Sequence, residues 1–172
     1  MKFSELPVIF LALFLLSCNN ATRQEVNTRK PGKEELADLN SYMVQKDRER
    51  IQNYIERKNL NMNESSSGLW YQIRKEGSGR SFRDFDRIEI DYECSLLDGT
   101  LCYTAEKLGP KEIVLGKSEL EPGLYEGLKM LRPGGEALFI LPPFLAYGII
   151  GDSKAIPPRA IVVYQVKVID KK

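Results

Sequence analysis

Histidine is absent from the 172 residues. Its absence removes the Ser-His-Asp and Cys-His arrangements of nucleophilic catalysis, together with the commonest metal ligand. Cysteine is scarce. Cys18, Cys94 and Cys102 are too scattered for a zinc pattern. Neither sign of charge dominates: 25 Lys and Arg face 24 Asp and Glu, for a net charge of +1. With no one-signed block, the chain does not call for a nucleic acid or an acidic partner. A Gly-rich phosphate loop is missing too, because Gly134-Gly135 follows a helical stretch instead of opening one. What remains is chemistry that needs no nucleophile, no metal and no cofactor.

Long apolar runs are also lacking. Val8–Leu16 is apolar throughout, but a membrane span needs ~20 such residues, so the run reads as the core of a secretory signal. It ends Leu15-Leu16-Ser17-Cys18, which resembles a bacterial lipobox. Residues 1–17 are then a lipoprotein signal peptide, and Cys18 is the lipidated first residue of the mature chain. Lipid chains bury methylenes at ~0.8 kcal/mol each and would hold the protein to a membrane surface. Asn19, where Asp would signal retention, points by resemblance to the outer membrane, on its periplasmic side.

The remaining residues are ordinary for a globular protein, with 42% hydrophobic and 28% charged. Residues 18–32 are polar and aperiodic and contain Pro31-Gly32, as in a tether. Residues 33–62 are helix-prone, with Leu36, Leu39, Met43, Ile51, Tyr54 and Ile55 on roughly one side and Asp47 and Arg50 interrupting the stripe. Such a helix either docks one apolar end on the domain or dimerises. Ser65-Ser66-Ser67-Gly68 then breaks the pattern.

From residue 68 to 172 strand signals prevail. Ile88, Ile90, Tyr92, Cys94 and Leu96 alternate with polar residues, as in a strand with one wet face. Asp98-Gly99 marks a hairpin turn. A three-residue loop, Leu97-Asp98-Gly99, would pair Cys94 with Cys102 and permit a disulfide, whereas a two-residue turn would pair Cys94 with Tyr103. Pro122 suits the first position of a short helix whose Leu124, Leu128 and Leu131 form one face. Pro133-Gly134-Gly135 ends it, and Val162, Tyr164, Val166 and Val168 alternate on a closing strand. Periodicity alone supports an α+β domain with an antiparallel sheet.

The ordered set of Asp98-Gly99, Leu115-Gly116, Gly123-Leu124, Gly127-Leu128, Leu145-Ala146-Tyr147-Gly148 and Ile156-Pro157-Pro158 resembles the FK506-binding (FKBP-type) peptidyl-prolyl isomerase domain. With the lipobox and the Leu108-Gly109-Pro110 insert, the chain is similar to FKBP-type lipoproteins of Bacteroidetes, including gliding-motility-associated ones. The resemblance implies a five-stranded antiparallel half-barrel wrapped on one short helix, preceded here by the N-terminal helical segment. It also implies isomerisation of X–Pro bonds in exported proteins during envelope folding. As the resemblance has it, Tyr92, Tyr147 and Ile156 are the catalytic residues. Cys102, Leu120, Glu121, Leu124 and Tyr164 would bind substrate, and proline-containing segments would be the partners. Several of these depart from the family. Cys102-Tyr103 stands for Phe-Asp, Glu121 for an aliphatic, Leu124 for Trp, Tyr164 for Phe and Lys111 for a wall Phe. The departures leave open a second reading, a binding or chaperone module with little turnover.

If Cys18 carries the anchor, labelled fatty acid fed to an expressing bacterium should enter the full chain. Cys18→Ala should abolish the label, and equal labelling of the two would refute the anchor.

Overall fold

The computed structural model describes residues 30–169, so the signal, Cys18 and most of the tether lie outside the described residues. The chain falls into two units, 1–33 and 34–172, and the second contains the sheet. The elements of the described residues are α1 (Lys33–Arg57), β1 (Asn63–Glu64), β2 (Trp70–Lys75), β3 (Arg87–Leu96), β4 (Leu101–Thr104), α2 (Ala105–Leu108), β5 (Lys111–Val114), α3 (Pro122–Met130), β6 (Glu136–Leu141) and β7 (Val162–Val168).

All strand pairs are antiparallel. The order is β1-β2-β6-β7-β3-β4, and β5 also lies on β3. β4 borders the residues around Cys94 and β5 borders Arg87–Ile90. The two therefore act as one edge strand interrupted by α2. With that edge counted once and the two-residue β1 set aside, five strand positions wrap α3, as the family resemblance implies.

The alternation read from the sequence sorts side chains onto two faces. Ile88, Ile90, Cys94, Phe139, Leu141, Val162, Tyr164 and Val166 pack with Leu124 and Leu128 of α3. Leu138, Ile140, Ile161 and Val163 point the other way, where Ile51, Tyr54 and Ile55 of α1 cover them. The C-terminal half of α1 is thus a docked helix. Asp47, which interrupts its apolar stripe, is buried and held by Arg159 at 2.9 Å and Arg50 at 3.4 Å. In the N-terminal half Leu36, Leu39 and Tyr42 remain exposed.

The hairpin between β3 and β4 has the three-residue loop. Leu96 N–H donates to the Thr100 carbonyl at 2.9 Å, and Gly99 takes the left-handed φ of 93° that the turn demands. The facing of Cys94 and Cys102, however, is not found. Ser95 pairs with Leu101, but Cys94 pairs with Tyr103. One residue further in, Cys102 is the extra residue of a bulge, which turns its side chain out of line with Cys94. Both thiols are free, so the disulfide expectation is corrected.

α3 lies unusually close to the sheet. A Cβ on Gly127 would stand 2.7 Å from the Phe139 ring, and one on Gly123 would stand 2.7 Å from Leu141 Cγ. Gly127→Ala gains helix propensity of about 1 kcal/mol but overpacks a fully buried ring, at a cost of about 1–3 kcal/mol. Denaturant unfolding should show a net loss of stability, relieved in part by adding Phe139→Leu.

Candidate functional site

The open end of the α3–sheet core gathers most of the residues singled out from the sequence. Tyr164 occupies the middle of the central strand, paired with Cys94 on one side and Phe139 on the other. Tyr92, two residues before Cys94 on the same face of β3, brings its ring to 6.5 Å from that of Tyr164, tilted by 41°. Tyr147 reaches in from the loop after β6, and its hydroxyl lies 3.1 Å from that of Tyr164. Tyr92, Tyr147, Leu120 and Cys102 are half-buried around this core and offer surface to a ligand. Ile156 and Tyr164 lie just beneath, 2% and 3% exposed. Leu124 is fully buried in the helix–sheet core and presents no surface in this structure.

Glu121 has an unexpected place. It is the residue before the first turn of α3, yet its side chain caps no helix N–H. The carboxylate turns into the core, where Oε1 accepts the Tyr164 hydroxyl proton at 3.0 Å and Oε2 is buried without a hydrogen-bond partner. Burial first drives the Tyr147 and Tyr164 hydroxyls well above the ordinary tyrosine value, reinforced by hydrogen bonding to Glu121 at Tyr147 and by the Glu121 charge at Tyr164. Burial likewise pushes the Cys94 thiol up to about 12. Both phenols and the thiol are therefore neutral at physiological pH.

Sequence reading missed Asp152. The Cys102-Tyr103 pair looked like a lost aromatic wall and a lost carboxylate. Here Tyr103 O–H donates to Asp152 Oδ2 on the facing loop, and Cys102 Sγ lies 3.6 Å from the Ala155 carbonyl. Asp152 Oδ1 accepts the backbone N–H groups of Lys154 at 2.9 Å and Ile156 at 2.8 Å. A carboxylate is thus restored from the opposite side, and it holds the segment that carries Ile156. The base of the loop is closed by Arg159 N–H to the Gly148 carbonyl at 3.0 Å. The available signal was an Asp four residues before Ile156, in a turn-rich stretch, with a tyrosine newly placed at 103.

Burial alone would raise the Asp152 carboxyl, but the hydrogen bonds from Tyr103 and from the backbone hold it below the usual range. A carboxyl lowered on folding stabilises above its unfolded value of ~3.9, and that contribution is lost as pH falls through the folded value. Asp152→Ala should therefore reduce hydrogen-exchange protection of the Lys154 and Ile156 amides by about tenfold at neutral pH. The wild type should show the same loss only on acidification below about pH 4. Unchanged protection in the variant would show that the loop is held by other contacts.

The family model for FKBP-type peptidyl-prolyl cis-trans isomerase matches residues 79–169. FkpA, an FKBP-type peptidyl-prolyl cis-trans isomerase of Buchnera aphidicola, is 35% identical over 106 residues, which are 62% of this chain and 41% of that protein. FkpA of Escherichia coli K12 is 34% identical over 108 residues, 63% of this chain and 39% of that one. The chain thus spans about two fifths of the length of the curated relatives it matches. In three dimensions the crystal structure of Escherichia coli FkpA gives a TM-score of 0.61 at 26% identity, covering 82% of this chain and 73% of the other. AtFKBP13 gives 0.59 at 25% identity, covering 65% and 99%. A family match over more than half the chain, with a structural likeness to solved members, makes this chain a member of the FKBP-type peptidyl-prolyl cis-trans isomerase family.

Proposed function

We propose that this protein isomerises X–Pro bonds in exported proteins, held to the periplasmic face of the outer membrane by lipid on Cys18. The observation that carries the catalytic part is the gathering of Tyr92, Tyr147 and Ile156 at one end of a closed apolar core. Rotation of an X–Pro amide meets a barrier of ~18–20 kcal/mol, because resonance gives its C–N bond partial double-bond character. The twisted amide has lost that resonance and much of its carbonyl polarity. A water-poor cup therefore favours it over the planar form without any proton transfer. The Tyr92 ring and the buried Ile156 supply that cup, and the Asp152 latch keeps Ile156 in place before substrate arrives.

Support for the anchor comes from the lipobox-like ending Leu15-Leu16-Ser17-Cys18. The likeness to gliding-associated lipoproteins rests on the same N-terminal features. Pairing of two copies through α1 is supported by Leu36, Leu39 and Tyr42, which stand exposed along its first half.

The second reading, a binding or chaperone module, is favoured by the Glu121 carboxylate beneath the pocket, where an apolar side chain would be drier. Proline-limited refolding of a model protein separates the two. An isomerase accelerates the slow phase catalytically, and Tyr92→Ala should slow that acceleration on the order of tenfold by removing an aromatic wall. A binding module leaves the slow phase unchanged, or retards it in proportion to its concentration.

A further inference from the structure

A cleft of about 590 Å³ opens between α1, the β3–β4 turn and the chain just after Ile156. Leu96 on its wall packs against the α3 core, and Leu97 against the α1 core, so the cleft lies where the two packed layers meet. Pro157 and Pro158 form a second wall, rigid and without N–H donors. Three guanidinium groups stand over this apolar lining. Arg50 and Arg57 occupy positions i and i+7 on one stripe of α1. Arg159 comes from the loop, at a φ of 57° that is uncommon for a residue with a Cβ. All three charges are permanent. Asp47 lies beneath, bound to Arg159 and Arg50 and with 7% of its side chain exposed, so it meets no ligand. The other carboxylate on the cleft among the described residues is Asp98, and its Oδ1 accepts the Thr100 N–H at 2.8 Å. Arg57 is left without an ion pair among the described residues.

The cleft adjoins the pocket. Pro157 follows Ile156 directly in the chain. Leu96, paired with Val162, lies two residues along the strands from Cys94, paired with Tyr164. Two residues of strand span ~7 Å, about as far as two residues of an extended peptide reach. Arg50 and Arg57 fall outside residues 79–169, so the cleft is no part of what the family model matches.

We propose that this cleft is a second subsite, which takes an acidic side chain from the same peptide whose X–Pro bond occupies the pocket. Guanidinium groups meet carboxylates in a forked geometry, and the apolar walls cover the methylenes that carry the carboxylate. A small free anion would leave most of those walls uncovered. The substrate class is therefore X–Pro segments with Glu or Asp about two to four residues from the proline. The subsite rests on the isomerase reading for the occupant of the pocket, but its charge belongs to the free protein.

NMR titration of the full, unlipidated chain tests it. Each peptide carries one X–Pro bond and a single Glu, moved through positions on either side of the proline, and each has a Gln counterpart. Amide signals of Tyr92 and Ile156 report the pocket, and the Nε signals of Arg57 and Arg159 report the cleft. With Glu at the fitting position the peptide should bind about two- to fivefold tighter than its Gln counterpart at low salt, the worth of a partly exposed ion pair. Both sets of signals should move together, and the preference should fade as salt rises. Arg57→Gln leaves Asp47 and its partners in place and should reduce the preference. Asp98→Asn keeps the acceptor of the turn and should enlarge it. Pocket binding with no Glu preference at any position overturns the subsite and leaves the isomerase reading standing. An equal preference at every position shows only general attraction to a basic surface and overturns it too. So does a Glu peptide that moves the cleft signals and not the pocket signals, or inorganic phosphate that binds the cleft as tightly as the peptide. Binding of no peptide at either place refutes both readings.

Discussion

The closeness of α3 to the sheet is the constraint from which the site follows. Phe139 and Leu141 occupy the space that side chains at Gly127 and Gly123 would need, so the helix can come this close to the strands only because those two positions have no Cβ. That contact fixes the depth and direction of the helix start. Glu121, one residue before the first turn, is thereby carried beneath the pocket and within reach of Tyr164 on the central strand. A helix held a few ångströms further off would leave the same residue at the rim, where water would solvate it. A polar group within this apolar core is in this sense a result of helix packing.

The loop that faces β4 adds the second element of order. Its residues Ile149 and Ile150 stand exposed, 73% and 74%, while Ile156 a few residues on is almost wholly buried. Asp152 separates these two conditions. Its side chain folds the backbone of Lys154 and Ile156 onto itself and is tied across to Tyr103. The departures from the family at 102 and 103 therefore exchange one wall for a clasp. The loop thus combines a fixed inner segment with an exposed apolar outer lip.

What the sequence displayed well was whatever has a short period. The alternation from Ile88 to Leu96 and the helix face Leu124, Leu128 and Leu131 hold residue by residue in the cores. The hairpin loop was legible as well, because Gly99 carries its own conformational signature. The bulge at Cys102 was not, since a one-residue slip in pairing leaves no mark in composition or period. Polar pairs were the other blind spot. Tyr103 with Asp152, Glu121 with Tyr164 and Asp47 with Arg159 join residues 49, 43 and 112 positions apart. Each member taken singly looks like a surface residue or a misfit in an apolar stripe, and only the partner explains it. Glu121 and Tyr164 were both noticed as departures, and what went unseen was that each departure answers the other.

The ion pair between Asp47 and Arg159 joins the helix that leads to the N-terminus with the chain just after the buried Ile156. Asp47 is 7% exposed at its side chain; losing it leaves Arg159 without its carboxylate, and losing Arg159 leaves the buried Asp47 with only the longer, 3.4 Å contact to Arg50. The two positions are therefore not free to drift independently. Among descendants of this chain a neutral residue at 47 should persist only beside a neutral residue at 159, and a shortened helix should travel with an altered loop. Helix and loop would be inherited as one unit, even though more than a hundred residues of sequence lie between them.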